Sequence, residues 1–350
     1  MLTIDQINSN TVIEISSDLI GLRLDTALAI IIPDISRNRL QSWIKNQILT
    51  INGQFASTNY RVKGGETIHF INTDRLNLAN ISNISNISNI NTNDIKIEEL
   101  TQFAVADIPI KIVYQDEDIL VIDKPVGLVV HPGASNHDDT LMNGLLFHYK
   151  ELYHVPRAGI VHRIDKDTSG LLVVARTLSA HFNLVQQLSN HTMKRTYNTI
   201  VYGVAPSSGI IDANIIRDKS NRTRMMVTKL SGKSAVTKYK VLEYLPYSSL
   251  LECQLETGRT HQIRVHMQHL GYPILGDAVY GKGKIQVLQN KLKIDKNDHK
   301  NPLMLNRQAL HAAKLKLTHP KSGQEMEFTS EFPEDFAGLL EYLRELKCEL

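Results

Sequence analysis

The chain has 350 residues, of which 42% are hydrophobic and 21% are charged, and its formal net charge is +3 at pH 7. So small a charge does not by itself indicate a nucleic-acid partner. The two cysteines, Cys253 and Cys348, form no close-spaced pair, which argues against a disulfide framework or a cysteine zinc site and favours a reducing cytoplasm. We expect a cytoplasmic protein with neither a signal peptide nor the roughly 20 apolar residues of a membrane span.

Residues 1–75 are predicted to form a small domain of two helices and a hairpin. The first helix covers 23–31, and Ser36 is a good N-cap for the second, whose apolar stripe is Leu40, Trp43 and Ile44. The hairpin is predicted from the strand 48–51, the turn Asn52-Gly53 and the returning strand 62–70.

The second helix also carries basic residues that fall largely off its apolar stripe, namely Arg37, Arg39 and Lys45. On charge alone, a solvated helix face explains them. If they bind RNA, they track phosphates rather than read bases.

A repeat separates this domain from the rest of the chain. Within 81–93 the triplet Ile-Ser-Asn occurs three times in tandem, a period that matches neither helix nor strand. We interpret 76–100 as a flexible linker, which leaves 101–350 as a second, larger domain.

The larger domain is predicted to be rich in strands, with helices inserted between them. We predict a hairpin over 110–114 and 119–123, a buried strand over 171–175, and paired strands over 234–242 and 249–255. We predict four helices, whose apolar faces are marked by Leu141, Leu145 and Tyr149; by Phe182, Val185 and Leu188; by Ile263, Met267 and Leu270; and by Phe336, Leu339, Leu340 and Leu343. Residues 281–302 are interpreted as a surface excursion. Since strands and helices do not alternate strictly, we predict an α+β fold with a mostly antiparallel sheet.

The densest cluster of chemically active side chains lies immediately before the buried strand 171–175. It consists of His162, Arg163, Asp165, Lys166 and Asp167. Polar groups at the mouth of a core are typical of a binding cleft. The structural alternative is a turn in which one of the carboxylates caps backbone amides and pairs with the arginine.

A second polar segment, 255–267, contains two histidines and two arginines. Thr260 is predicted to cap a helix that carries Arg264 in its second turn. A zinc site is the obvious alternative, but His261 and His266 are five positions apart and do not share a helix face.

Two further segments add candidates. Residues 194–197 open a strand with Tyr197, a position at which a tyrosine alone would indicate core packing. Residues 217–240 hold eight Lys or Arg and a single Asp. Because this imbalance is steep in a nearly neutral chain, we predict that residues such as Arg222 and Arg224 contact RNA phosphates.

Together, these segments resemble the RluA-type pseudouridine synthases. The family signature His-Arg-Leu-Asp appears as 162–165, with Ile164 a mild departure, and the other family motifs match at 119–128, 130–133, 258–266 and 276–281. The resemblance covers the chain except for the linker and 281–302. The front segment resembles the S4 RNA-binding module, in particular at 21–25 and 62–66, which favours RNA binding by its basic helix.

The resemblance implies a role for each matching residue. Asp165 would be the catalytic carboxylate, which either attacks the flipped uridine or removes a ribose proton. Arg264 would pair with it, keeping it ionised and aimed. Tyr197 would stack on the uracil and assist proton transfer from C5.

Other implied roles concern the RNA around the target. Arg163 would fill the gap left by the flipped base, while Leu255 and His162 would form the pocket. The resemblance implies an enzyme without cofactor or metal, which acts on 23S ribosomal RNA or a large-subunit assembly intermediate; we expect a monomer. Three alternatives stay open: a sister synthase for other ribosomal or transfer-RNA uridines, a non-catalytic RNA-binding assembly factor, and a metal-dependent hydrolase that uses the histidines.

Overall fold

The computed structural model divides into two compact units, Met1–Asp94 and Ile95–Leu350. The described residues are 7, 11–32, 35, 37–45, 47–57, 59–71, 105–133, 138–218, 220–221, 223–229, 231–281, 283–292, 303 and 305–348. Ser36, the predicted helix cap, and the predicted linker 76–100 lie outside them.

The first unit combines a three-stranded antiparallel sheet with two helices. Its elements are β1 (Val12–Glu14), α1 (Leu24–Ile31), α2 (Arg37–Lys45), β2 (Leu49–Ile51) and β3 (Thr67–Phe70). The strand order is β1-β3-β2. Both predicted helices are confirmed, whereas β1 was not predicted, and the strand that returns from the turn begins at residue 67 rather than 62.

The apolar residues of the strands and of the two helices in this unit pack into one core. Leu28, Leu40, Trp43 and Phe70 are all buried, and the rings of Trp43 and Phe70 meet edge to face at 6.1 Å. The turn predicted at Asn52 and Gly53 is present, since both residues have positive φ.

The second unit is built on a nine-stranded sheet and a separate two-stranded hairpin. Its strands are β4 (Ile112–Gln115), β5 (Ile119–Lys124), β6 (Ser169–Ala175), β7 (Lys194–Tyr202), β8 (Ser208–Asp212), β9 (Asn214–Arg217), β10 (Met225–Thr228), β11 (Val236–Leu245), β12 (Ser248–Leu255), β13 (Leu310–Thr318) and β14 (Glu325–Thr329). The order in the large sheet is β4-β5-β6-β13-β7-β12-β11-β8, with β14 beside β13. Only β6 and β13 are parallel among its described pairs. The mostly antiparallel α+β fold is therefore confirmed.

Helices pack on this sheet at each of the predicted positions and at one additional position. They are α3 (Leu141–His148), α4 (Leu178–Ser189), α5 (Gln262–His269), α6 (Lys284–Lys291) and α7 (Glu334–Cys348). Helix α6 lies within the predicted surface excursion and buries Leu288. None of the described helices is both long and apolar enough to cross a membrane.

The predicted face of α4 is wrong for two of its three residues, since only Leu188 packs, partly buried, against the core. Phe182 is 68% exposed and Val185 is 38% exposed, whereas Ala180 and Leu184 are buried against the sheet. Two neighbouring stripes of this helix are apolar. Which of them is buried depends on where the sheet lies against the helix, and the sequence of the helix alone does not reveal this.

The predicted cap of α5 is also wrong. His261 occupies the N-cap position with φ 55° and makes no side-chain cap bond. Instead, the side-chain oxygen of Gln262 accepts the backbone N–H of Arg259 at 2.9 Å. This left-handed turn brings Arg264 close to the end of the sheet, where the polar segments meet.

Candidate active site

The loop that precedes β6 is held in place by several hydrogen bonds. The N–H of Thr168 donates to the carbonyl of Asp165 at 3.1 Å, and the side chain of Gln308 donates to the Thr168 hydroxyl at 3.0 Å. From β5, Lys124 Nζ donates to the carbonyl of Lys166 at 2.9 Å. Asp165 therefore projects from a loop whose backbone is held at residues 165, 166 and 168.

Lys124 is fully buried and donates to three backbone carbonyls, of which that of Lys166 belongs to this loop. Its ammonium also donates to the carbonyls of Pro125 and Leu128, at 2.7 and 2.9 Å. Burial lowers the pKa of Lys124 to about 7, against the opposing effect of the Asp167 and Asp165 carboxylates. The lysine thus ties β5 to the loop that carries Asp165.

Arg264 joins two carboxylates into one chain of ion pairs. Its Nη1 donates to Asp165 at 3.0 Å, while Nε and Nη2 donate to the two oxygens of Asp277 at 2.6 and 3.0 Å. Burial acts to lower the pKa of Arg264, but the hydrogen bonds and charge of Asp277, followed by those of Asp165, outweigh it and raise the pKa. Arg264 is therefore a permanent cation with a fixed orientation.

Asp277 is the anchor of this chain. Its side chain is fully buried, and besides Arg264 it accepts the backbone N–H groups of Val279 and Tyr280 at 2.9 and 3.0 Å. It holds Arg264 from behind while the other side of the guanidinium faces Asp165. Asp277 lies in the segment 276–281, where the family motif matched, but its pairing with Arg264 was not predicted.

Five of the six residues predicted for the chemistry and the pocket line a single cleft: Arg163, Asp165, Tyr197, Leu255 and Arg264. Tyr197 and Leu255 are 5% and 7% exposed and come from the adjacent strands β7 and β12. Burial raises the pKa of Tyr197, an effect that Arg195 opposes and Asp165 adds to. The cleft thus joins an aromatic and aliphatic wall to the carboxylate of Asp165, with the exposed Arg163 at its edge.

His162, the sixth residue, is not among those that line the cleft. Its Nε2 accepts the backbone N–H of Val173 at 3.1 Å, and Nδ1 has no hydrogen-bond partner among the described residues. Burial, and then the charge of Arg195, lowers the pKa of His162 to about 3. It is therefore a neutral residue that fastens the loop to β6.

Tyr280 connects the site to the β9–β10 hairpin. Its hydroxyl accepts the N–H of Met225 at 2.7 Å and lies 2.9 Å from Nδ1 of His261. Its ring lies near two guanidinium groups, Arg264 at 5.1 Å and Arg224 at 5.5 Å. This residue, too, was missed, although it stands in the matched segment 276–281.

The basic residues predicted to bind RNA are placed as follows. Arg224 is half-buried against Tyr280, and Lys45 is exposed at the end of α2. Arg222 and the side chains of Arg37 and Arg39 lie outside the described part of the chain.

The histidines of 255–267 have hydrogen-bond partners that suit structural roles. His266 bonds through Nδ1 to the Thr237 hydroxyl and through Nε2 to the carbonyl of Ala213, at 2.9 and 3.1 Å. Among the described residues, the group that could offer three metal ligands lies elsewhere and consists of Asp116, Asp118 and His319. These contacts argue against the hydrolase alternative.

Comparison with known proteins agrees with this geometry. Residues 118–269 match the family model described as RNA pseudouridylate synthase. Over 342 residues the chain is 44% identical to a protein of Nitrosomonas europaea, with 97% of this chain and 90% of that protein covered. The chain therefore belongs to the RNA pseudouridylate synthase family.

The relatives carry a more specific name. The Nitrosomonas europaea protein is named ribosomal large subunit pseudouridine synthase D. So is a protein of Escherichia coli strain K12, which is 42% identical over 337 residues, covering 94% of this chain and 93% of that protein. Among solved structures, human RNA Pseudouridylate Synthase Domain Containing 4 is similar, with a TM-score of 0.52, 26% identity, and coverage of 67% of this chain and 93% of that one.

Proposed function

We propose that this enzyme converts specific uridines of large-subunit (23S) ribosomal RNA to pseudouridine, with Asp165 as its essential carboxylate. The observation that carries the proposal is the Asp165–Arg264–Asp277 chain of ion pairs in the cleft. The names of the relatives, which specify the large ribosomal subunit, support the choice of substrate.

The side chains that line the cleft are sufficient for the proposed reaction. The N1 glycosidic bond breaks, the uracil turns, and C5 is joined to C1′, so no oxidant, group donor or water is consumed. Asp165 either attacks the sugar to form a transient adduct or removes a ribose proton, and in both cases the hydrogen bond from Arg264 holds its carboxylate in place. Tyr197 stacks on the ring and assists the late loss of the C5 proton, while Leu255 helps to exclude water.

We assign base flipping to Arg163, which is exposed at the edge of the cleft, two residues from Asp165. Extruding a base costs a few kcal/mol, and less when the base is unpaired. Arg163→Ala should therefore slow single-turnover conversion of a structured hairpin strongly and that of an unstructured oligonucleotide much less. Equal losses on both RNAs would instead make Arg163 a structural partner of Asp165.

RNA binding is assigned to two regions. The first is the S4-like segment 1–75, through Arg37, Arg39 and Lys45; the second is the basic segment 217–240, through Arg222 and Arg224. The enzyme would act as a cytoplasmic monomer, without cofactor or metal. Deletion of 1–75 should weaken activity on large ribosomal RNA more than activity on a short hairpin, and equal losses would contradict an independent RNA-binding role.

The proposed substrate is tested by mapping pseudouridines in RNA from cells that lack the protein. We expect losses at 23S positions that the wild type restores and Asp165→Asn does not. Losses confined to transfer RNA or to sites in other RNAs would favour a sister synthase. Restoration of the modification by Asp165→Asn would remove Asp165 from the mechanism.

A further inference from the structure

Arg195 is the second residue of β7 and faces the same cleft as the proposed catalytic residues. It lies two positions before Tyr197, so both side chains project from one face of the strand. Its register partner on β12 is Leu255. All three residues line the cleft together with Asp165. The guanidinium is thus placed beside the residues proposed to hold the uracil ring.

This arginine is buried, and the described residues provide its guanidinium with no anionic partner. Arg195 is 8% exposed, yet its Nε has no hydrogen-bond partner and no ion pair to its guanidinium occurs among the described residues. Arg264, buried to the same degree, has two carboxylates. A buried charge without a partner destabilises a protein, and it is stabilised when a negatively charged or strongly polarised oxygen enters beside it.

Gly258 makes room for the guanidinium. A Cβ at this position would lie 2.5 Å from Nη1 of Arg195 and 3.8 Å from Nη2. The backbone of Gly258 is not in the left-handed region, so an alanine at this position would act mainly by displacing the end of the Arg195 side chain rather than by straining the backbone. The chain is therefore arranged to admit the Arg195 side chain at this place.

The proposed reaction generates an anion next to these residues. When the C1′–N1 bond breaks, its electron pair stays on the uracil and is shared with the carbonyl oxygens of the ring. The ring turns, and C5 forms its bond to C1′ with an electron pair of the anion. In the adduct route this breaks the ester bond between Asp165 and C1′, and in the proton-removal route C2′ regains the proton that Asp165 had taken. A proton then leaves C5 while N1 gains one. The detached ring carries negative charge whether Asp165 attacks the sugar or removes a ribose proton.

We propose that Arg195 is a catalytic residue that donates hydrogen bonds to a carbonyl oxygen of the detached uracil and stabilises its negative charge. The inference rests on the proposed function. A preorganised donor in a site shielded from water acts mainly on the transition state, because the negative charge appears only there. A backbone phosphate fits this place less well, because Tyr197 and Leu255 form a wall suited to a base.

The test compares two substrates. Arg195→Met and Arg195→Lys are measured in single turnover at saturating enzyme, on an RNA hairpin with either uridine or 5-fluorouridine at the target. The rate measured is the loss of the target nucleoside through cleavage of its C1′–N1 bond, because C5 of 5-fluorouridine has no proton to lose and cannot give pseudouridine. On uridine, Arg195→Met should be about 100-fold slower, and Arg195→Lys should retain part of the rate. Fluorine withdraws electrons and stabilises the detached ring, so the loss for Arg195→Met on 5-fluorouridine should shrink to about tenfold.

Stability separates a catalytic role from a structural one. Arg195→Met removes an uncompensated buried charge, so its Tm should equal or exceed that of the wild type while its rate falls. Introduced into the otherwise wild-type enzyme, Gly258→Ala should displace the guanidinium of Arg195 and slow the reaction. In the Arg195→Met background it should cause no further loss, as expected for two changes that act through one group.

Several results would overturn the inference: an unchanged rate for Arg195→Met, an equal loss on both substrates, or a lowered Tm that accompanies the slower rate. Weaker RNA binding with a smaller salt dependence would show that Arg195 contacts a phosphate instead. The activity of the wild-type protein distinguishes a failure of the proposed function from a failure of the role proposed for Arg195. If it converts no uridine in large-subunit RNA, the proposed function fails; if it does and Arg195→Met behaves as the wild type, only the role of Arg195 fails.

Discussion

Asp277→Asn tests whether the proposed catalytic pair, Asp165 and Arg264, depends on the carboxylate that holds Arg264 from the other side. Asp277 accepts four hydrogen bonds, two from Arg264 and one each from the N–H groups of Val279 and Tyr280. Asparagine has nearly the same shape but a single acceptor oxygen. If that oxygen takes the place of Oδ1, three bonds survive, and the amide NH2 group faces the Nε–H of Arg264, donor against donor.

The expected cost follows from this geometry. Breaking a buried ion pair by changing one partner typically costs about 3–5 kcal/mol. The lower end, about 3 kcal/mol, applies to Asp277→Asn because most of its hydrogen bonds survive. If about half of that loss reaches the transition state through a less constrained Arg264, the rate should fall about tenfold.

The assay combines urea unfolding with single-turnover pseudouridine formation at saturating enzyme. Glu243→Gln is the matched control, because Glu243 also pairs with an arginine, Arg344, but both side chains are partly exposed. That variant should change the free energy of unfolding by less than about 1 kcal/mol and leave the rate as it is. If Asp277→Asn costs no more stability than Glu243→Gln and reacts at the wild-type rate, Asp277 does not anchor Arg264 for the proposed reaction.

Two further predictions concern the surroundings of the site. The folded-state pKa of His162, about 3, lies below the ordinary value of 6.5, so its contribution to stability is complete above pH 6.5 and is lost as the pH falls toward 3. Between pH 7 and pH 5, urea unfolding of His162→Gln should therefore show a smaller loss of stability than the wild type, by about 2 kcal/mol; parallel pH profiles would contradict this. Gly276→Ala should destabilise the protein severely, because φ is +74° and the new Cβ would lie 2.0 Å from the carbonyl oxygen of Arg307. Gly271→Ala, with φ +92° and no atom within 4 Å, should cost only about 1–3 kcal/mol in backbone strain, and equal Tm losses would show that steric contact is unimportant at Gly276.

Local patterns in the sequence predicted most elements of the fold. The hairpin of β4 and β5 and the pairing of β11 with β12 are confirmed, because strand alternation and a short turn are both local features. The face of α4 was not predicted correctly, since apolar residues at Phe182 and Val185 satisfy the same helical period as the stripe that is actually buried.

Contacts across the chain explain the remaining differences in the site. The motif matches identified Asp165 and Arg264, which lie 99 positions apart, but gave no reason to join either to Asp277. Arg195 was missed for a related reason: an arginine in a strand has no distinctive pattern, and the absence of a carboxylate partner is visible only once the fold is known. Sequence periodicity describes one helix or strand at a time, whereas the pairing of Arg264 with Asp277 and the lack of an anionic partner for Arg195 among the described residues depend on how different elements pack together.

The position of β13 has a consequence for how the protein is made. It lies between β6 and β7, two strands that leave the ribosome earlier and are joined through α4. Until β13 emerges, both have an open edge, and premature pairing of these edges is the misfolding hazard of the nascent chain. The last contacts are long-range, such as that between Ser169 and His311, 142 positions apart, so they form slowly. Because Gln308 and β13 complete the support of the Asp165 loop, we expect a partly synthesised chain to have no activity until almost all of it has been translated.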